Sequence, residues 1–226
     1  MESSNLIVAV DYTRSNTWNG KNSFGGQCLH SISPYTLNPY QAALSLVCKT
    51  LEPFDDDHLI PAFGFGDVTT RDKAVFPFFP DNRSCQGLNE VLTRYSEITP
   101  RVELSGPTSF APIIREAIKI VSKTSAYHIL IIIADGQVDK VQETIDAIVE
   151  CSKYPISIIL IGVGDGPWDR MMEFDDELPQ RQFDNFQFVN FNELSTKWKG
   201  NEVNFAMHAL MEIPDQYKAI KQLKLL

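Results

Sequence analysis

Asp11, Thr13 and Ser15 stand at every second position directly behind the apolar run Leu6 to Val10. In extended or gently turning chain that spacing lets all three side-chain oxygens face one point. One carboxylate and two hydroxyls are hard donors, the kind that Mg2+ or Mn2+ takes at about 2.0–2.1 Å in an octahedral shell. Taken alone, the string D-x-T-x-S fits equally well a strand followed by a helix-capping Asp or Ser. Two later segments favour the metal. Tyr127 to Ala134 is a second continuous apolar run that ends in a carboxylate, Asp135, with Gly136 behind it to let the chain turn. Gly106-Pro107-Thr108-Ser109-Phe110 is a turn signal ahead of a helical pattern from Ala111 to Val121.

Positions like these need a scaffold that gathers strand ends. Leu6 to Val10, Tyr127 to Ala134, Ile156 to Val163 and Phe186 to Phe191 read as strands, the first two buried on both faces and the third buried as well. Leu59 to Phe65 reads as one short central strand, and Val75 to Phe79, interrupted by Pro77, as an edge. Helical faces lie between them. Ala42, Ala43, Leu46, Val47, Thr50 and Leu51 mark the first, opened by Pro39 and ending before Pro53. Leu88, Val91, Leu92 and Tyr95 mark the next, closed by Pro100; Ile113, Ile114, Ala117, Ile118 and Val121 a third; Val138 to Cys151 a fourth. A closing helix over about 200–213 presents Val203, Ala206, Leu210 and Ile213, with 214–226 as a tail. Strands alternating with helices predict right-handed crossovers and an α/β parallel sheet, whose carboxyl-terminal edge is where ligands bind. Asn16 to Asn38, rich in Asn, Ser and Gly, reads as a long ordered loop carrying Trp18.

With D-x-T-x-S after the first strand, G-P-T-S-F-A-P-I-I before a helix and I-I-A-D-G after a later strand, the chain resembles the metal-ion-dependent adhesion site of a von Willebrand factor A domain. The wording is that of the copine branch, in which the first hydroxyl is Thr. G-V-G-D-G-P-W at Gly162, then E-F-D-D-E-L-P and F-D-N-F-Q-F-V-N-F, extend the match over nearly the whole chain. They are most similar to the copine-like domain of plant-type RING ubiquitin ligases, with copines next. The resemblance implies one domain spanning 1–226: a doubly wound, mostly parallel, Rossmann-like sheet flanked by helices, with the site at its carboxyl-terminal edge. It implies Asp11, Thr13, Ser15, Thr108 and Asp135 as ligands of Mg2+ or Mn2+. In related domains one carboxylate often reaches the ion through water, so the ion keeps positive character and an open position, which suits an incoming carboxylate.

The resemblance therefore implies a divalent-cation-dependent protein-binding module in which a partner's Asp or Glu completes the shell, the partners including ubiquitination substrates. The alternative is a scaffold with this fold whose interactions do not use the metal. A RING domain, or the C2 domains of a copine, would lie outside these residues. Met1 followed at once by Glu-Ser-Ser and a core strand reads as an excised fragment.

The formal charge of -9 argues against nucleic acid, which needs clustered Lys and Arg, and against docking on an anionic membrane by charge alone. Membrane association is expected only through other domains or lipidation. Cys28, Cys48, Cys85 and Cys151 form no C-x-x-C pair, so a zinc site or disulfide framework is not expected, and Cys48 reads as an inert small hydrophobe. Scattered thiols and the lack of an amino-terminal signal suit a cytoplasmic or nuclear location, or a peripherally membrane-associated one in the full-length protein.

A Mg2+-dependent phosphoryl-transfer enzyme is the remaining alternative, and the residues favour it less. A phosphoryl-transfer site of the D-x-D type would need a carboxylate where Thr13 stands; G-x-S-x-G and G-x-x-x-x-G-K are absent. G-x-G-x-G-P at Gly162 lacks dinucleotide spacing and reads as a tight turn. Asp55-Asp56-Asp57 reads as a solvated turn, Asp67 as a turn-forming residue, Asp165 as a weak outer contact of the metal, and His128 as a satisfied core imidazole. His30, His58 and His208 stand in unrelated contexts.

Overall fold

The computed structural model describes residues 4–124, 126–136, 138–176, 178, 181–193 and 202–226. The strands are β1 (Asn5–Asp11), β2 (Leu59–Ile60), β3 (Ala62–Phe65), β4 (Val75–Pro77), β5 (Cys85–Gln86), β6 (His128–Ala134), β7 (Ile156–Gly162) and β8 (Phe186–Asn190). The α-helices are α1 (Pro39–Leu51), α2 (Gly87–Ile98), α3 (Ala111–Thr124), α4 (Val141–Cys151), α5 (Asp169–Asp176), α6 (Glu202–Leu210) and α7 (Ile213–Gln222).

Among the described residues six strands form the main sheet in the order β4-β3-β1-β6-β7-β8. Every neighbouring pair is parallel except β3 with β4, which is antiparallel and forms one edge. β1 is apolar without a break because both its faces are covered, and the two-residue period sorts its side chains into separate cores. Leu6, Val8 and Val10 pack in the layer of α1, α2, α6 and α7. Ile7 and Ala9 pack in the layer of α3, α4 and α5. From β1 the chain steps to β3 and β4 on one side, then crosses back to β6 on the other. The winding therefore reverses between the carboxyl ends of β1 and β6, where an open α/β sheet leaves a crevice. α1 begins with a reciprocal cap: Gln41 N donates to Asn38 Oδ1 at 2.8 Å, Asn38 N donates to Gln41 Oε1 at 3.0 Å, and Pro39 occupies the first turn.

Three expectations are corrected. Leu59 to Phe65 is not one central strand. Pro61, which has no N–H, divides it into β2, paired antiparallel with β5 in a separate two-stranded sheet, and β3, second from the edge. The segment expected as a tail is helical through Gln222, because Pro214 sits in the first turn of α7, where a missing N–H costs nothing. Along the closing helices the buried apolar positions among the described residues are Phe205, Ala209, Ile213 and Ile220, with Ala206 and Leu210 only partly covered. The expected helix start at 200 and the side chains of Val203 and Cys48 lie outside the described residues. Finally, Asp55 is not solvated: it is buried and accepts from Leu6 N at 3.1 Å, tying down the start of β1, while Asp56 and Asp57 are exposed.

Candidate metal centre

Asp11 closes β1 and Asp135 follows β6, and both are fully buried. The two strands are parallel neighbours with Val10 opposite Ile133, so the carboxylates leave the sheet beside each other at the reversal point. Thr13 N donates to Asp11 Oδ1 at 2.7 Å, and the Asp135 amide also donates to this carboxylate. Asp11 Oδ2 has no hydrogen-bond partner. Burial, and after it the negative charge of Asp135, hold the Asp11 carboxyl well above the usual carboxylate range. No lysine or arginine neutralises Asp11 among the described residues. A buried carboxylate oxygen left bare next to a second carboxylate is costly until a cation joins them.

The hydroxyls complete the arrangement. Thr13 Oγ1 and Ser15 Oγ are 3.0 Å apart, Ser15 being carried by a 3-10 turn over Arg14–Thr17. Thr108 is clamped by its backbone: its N–H donates to Asp139 Oδ2 at 2.7 Å, and its carbonyl accepts from Asp139 N at 3.0 Å and Lys140 N at 3.1 Å. Thr13, Ser15 and Thr108 line one depression of about 340 Å3, with Asp139 on its wall. Of the five sequence-predicted residues, Asp11 is thus linked to Thr13, Thr13 to Ser15 and Asp11 to Asp135, while Thr108 shares the depression with Thr13 and Ser15. Among the described residues no three His, Cys, Asp or Glu side chains cluster as they could to hold a metal ion, so any ion here would depend on the hydroxyls as well. Two carboxylates with three neutral hydroxyls, one carboxylate oxygen uncommitted, fit a hard divalent cation that keeps part of its charge.

Behind this lies a layer that sequence reasoning missed. His30 Nε2 is 2.7 Å from the Asp11 carbonyl oxygen, and its Nδ1 is 2.8 Å from the Tyr95 hydroxyl. Asn16 Nδ2 donates to the Thr13 carbonyl at 3.0 Å, and Tyr40 donates to Asn16 Oδ1 at 2.7 Å. Asn19 Nδ2 donates to the Asp135 carbonyl at 3.3 Å. Asn16, Asn19 and His30 of the loop 16–38 therefore brace the backbone behind these residues. Asp165, expected as an outer contact of the metal, instead accepts from Asn22 N and Ser23 N at 2.7 and 2.8 Å and bolts this loop in place. Asp67 takes the expected turn-forming role by accepting from Thr69 and Thr70. His128 is a core residue, its Nδ1 2.8 Å from the Ala126 carbonyl. Sequence signals for Asp139 and His30 were weak: an Asp just before a helix and a His in an aperiodic loop have commoner explanations.

The sheet order and the two helical layers are those of a von Willebrand factor A domain. Solved structures of this fold align with the chain: the manganese-loaded TRAP protein of Plasmodium vivax (TM-score 0.55, 12% identity, 86% of this chain and 71% of that one) and a von Willebrand factor type A protein from Catenulispora acidiphila (TM-score 0.55, 12% identity, 97% and 43%). Proximal thread matrix protein 1 of the mussel byssus, with a zinc-occupied adhesion-site motif, aligns with TM-score 0.52 at 14% identity over 91% of this chain and 48% of that one. Within this class the chain belongs to the copine family, whose family model matches residues 28–226. It is 53% identical to the E3 ubiquitin-protein ligases RGLG1 and RGLG3 of Arabidopsis thaliana, over 100% and 97% of its length, and 49% identical to Copine family protein 2 of Caenorhabditis elegans. It spans 49% of RGLG1, 64% of RGLG3 and 3% of the nematode protein.

Proposed function

We propose that this copine domain is a protein-binding module that works through a divalent cation, Mg2+ or Mn2+, held by Asp11, Thr13, Ser15, Thr108 and Asp135. The observation that carries the reading is the bare, fully buried Oδ2 of Asp11, set beside Asp135 with the three hydroxyls in front. When bound, the ion supplies a Lewis-acidic position that attracts a carboxylate. The chain's own residues do the rest: the Thr13 and Asp135 amides orient the Asp11 carboxylate, Asp139 fixes the Thr108 loop, and the depression admits an Asp or Glu side chain. The module needs no catalytic group of its own. In a parent related to the RGLG ligases, it would present the protein to be ubiquitinated to a RING domain elsewhere in that parent. Buried free thiols at Cys85 and Cys151 suit a reducing compartment such as the cytoplasm or nucleus. Calorimetric titration with Mg2+ tests the reading: heat of binding in the wild type that disappears in Asp135→Ala supports it, and equal titrations of the two proteins refute it.

A further inference from the structure

The rim of the depression carries two side chains that the cation does not require. Arg14 lies between the candidate ligands Thr13 and Ser15, so its side chain is thrown outward while its N–H is tied to the Ser105 carbonyl at 2.6 Å. Its guanidinium is exposed, forms no ion pair among the described residues, and is the one cationic group lining the depression. Trp18 lines the same depression with 52% of its surface exposed, although its backbone is fixed by a 3.0 Å hydrogen bond to the Ser15 carbonyl. A rigidly mounted, half-exposed indole and an unpaired guanidinium are the residue types that carry most energy in interfaces. The volume, about 340 Å3, suits one side chain and adjoining backbone rather than a folded surface.

Charge narrows the occupant. The chain's formal charge of -9 opposes an acidic partner, yet the site wants a carboxylate. At physiological salt the repulsion from distant charges is screened beyond roughly 8 Å, and of the two charged side chains lining the depression Asp139 is held by Thr108 N, which leaves the Arg14 guanidinium to meet the occupant. Arg pairs with a carboxylate through two parallel hydrogen bonds, a geometry Lys does not offer. We propose that the occupant is an acidic peptide segment gripped at three points: one carboxylate at the ion, a second on Arg14, and an apolar or aromatic side chain against Trp18. This rests on reading the centre as a metal site and adds the sequence preference of its partner.

The test is selection from a random peptide library on the chain in Mg2+, counter-selected on the Arg14→Ala, Trp18→Ala double variant. The enriched peptide is then synthesised and titrated against wild type and each single variant, in Mg2+ and in EDTA. Both side chains are exposed, so the variants keep the fold and their affinity for Mg2+ alone. The expected result is enrichment of paired acidic residues with an apolar neighbour, and binding weakened about tenfold or more in each single variant. Peptides with a lone acidic residue, Mg2+-dependent binding indifferent to both substitutions, or no enrichment over the double variant overturn the three-point grip and leave the metal reading intact. Binding that ignores EDTA but is lost in both variants supports the rim and refutes the metal.

Discussion

The Nε2 of His30 lies 2.7 Å from the backbone oxygen of Asp11. A carbonyl only accepts, so Nε2 carries the proton and Nδ1 accepts from the Tyr95 hydroxyl. The ring is stacked between Tyr12 and Tyr40, with centroids at 4.6 and 4.1 Å, and burial pulls its pKa down to about 3. A neutral imidazole thus positions the backbone of Asp11, the first of the proposed ligands along the chain.

His30→Phe keeps the stacking and removes both hydrogen bonds. Leaving the Asp11 carbonyl and the Tyr95 hydroxyl short of partners should cost about 1–3 kcal/mol. Denaturant unfolding reads this as a lower midpoint with an unchanged slope, and the stabilisation by Mg2+ should shrink as well.

Two buried groups should oppose each other in acid. His30, depressed to about 3 against ~6.5 in the unfolded chain, contributes stability that is present above neutral pH and is lost as pH falls. Asp55, raised to about 6 by burial, contributes in the other direction. Its neutral form is favoured in the fold, so its contribution is full below ~4 and vanishes as pH rises through 6. Asp55→Asn should therefore lose stability more steeply than wild type between pH 6 and 4. Unfolding curves across that window check it, and parallel curves would contradict it.

Gly66 sits against the site with φ of +82°, and a Cβ there would lie 2.3 Å from Thr13 Cγ2 and 3.5 Å from Asp11 Oδ1. Gly66→Ala must distort its own backbone or push Thr13 aside, at a cost of roughly 1–3 kcal/mol. Thermal unfolding should show the loss, with a further deficit in the response to Mg2+.

Asp139→Ala releases Thr108 N and loosens the turn that presents its hydroxyl. The loss of global stability should stay near 1 kcal/mol, because the turn lies at the surface of the sheet edge. Mg2+ affinity measured by calorimetry should fall by about tenfold or more, as is typical when an outer-layer partner is removed.

Much of this was legible in the chain itself. β1 and β6 announce themselves as unbroken apolar runs halted by Asp11 and Asp135, and the two-residue spacing to Thr13 and Ser15 marks out a candidate donor set. Thr108 came with the family resemblance, since a turn signal alone does not say where the turn will lie. His30 could not be read, because its link to Asp11 spans 19 residues of aperiodic loop. Asp55 looked like its exposed neighbours Asp56 and Asp57, and only the packing at the start of β1 tells them apart. Pro214 can close one helix or open the next, and local sequence does not choose between them.

Asp11→Asn removes the buried charge that faces Asp135 while keeping an oxygen for the Thr13 amide. Thermal unfolding of wild type and variant, in EDTA and in Mg2+, puts the central claim at risk. The variant should be the more stable of the two in EDTA, and only the wild type should gain from Mg2+, by roughly 2.7 kcal/mol at a hundredfold excess over Kd. A wild type unmoved by Mg2+, or a variant that gains as much, would contradict the account.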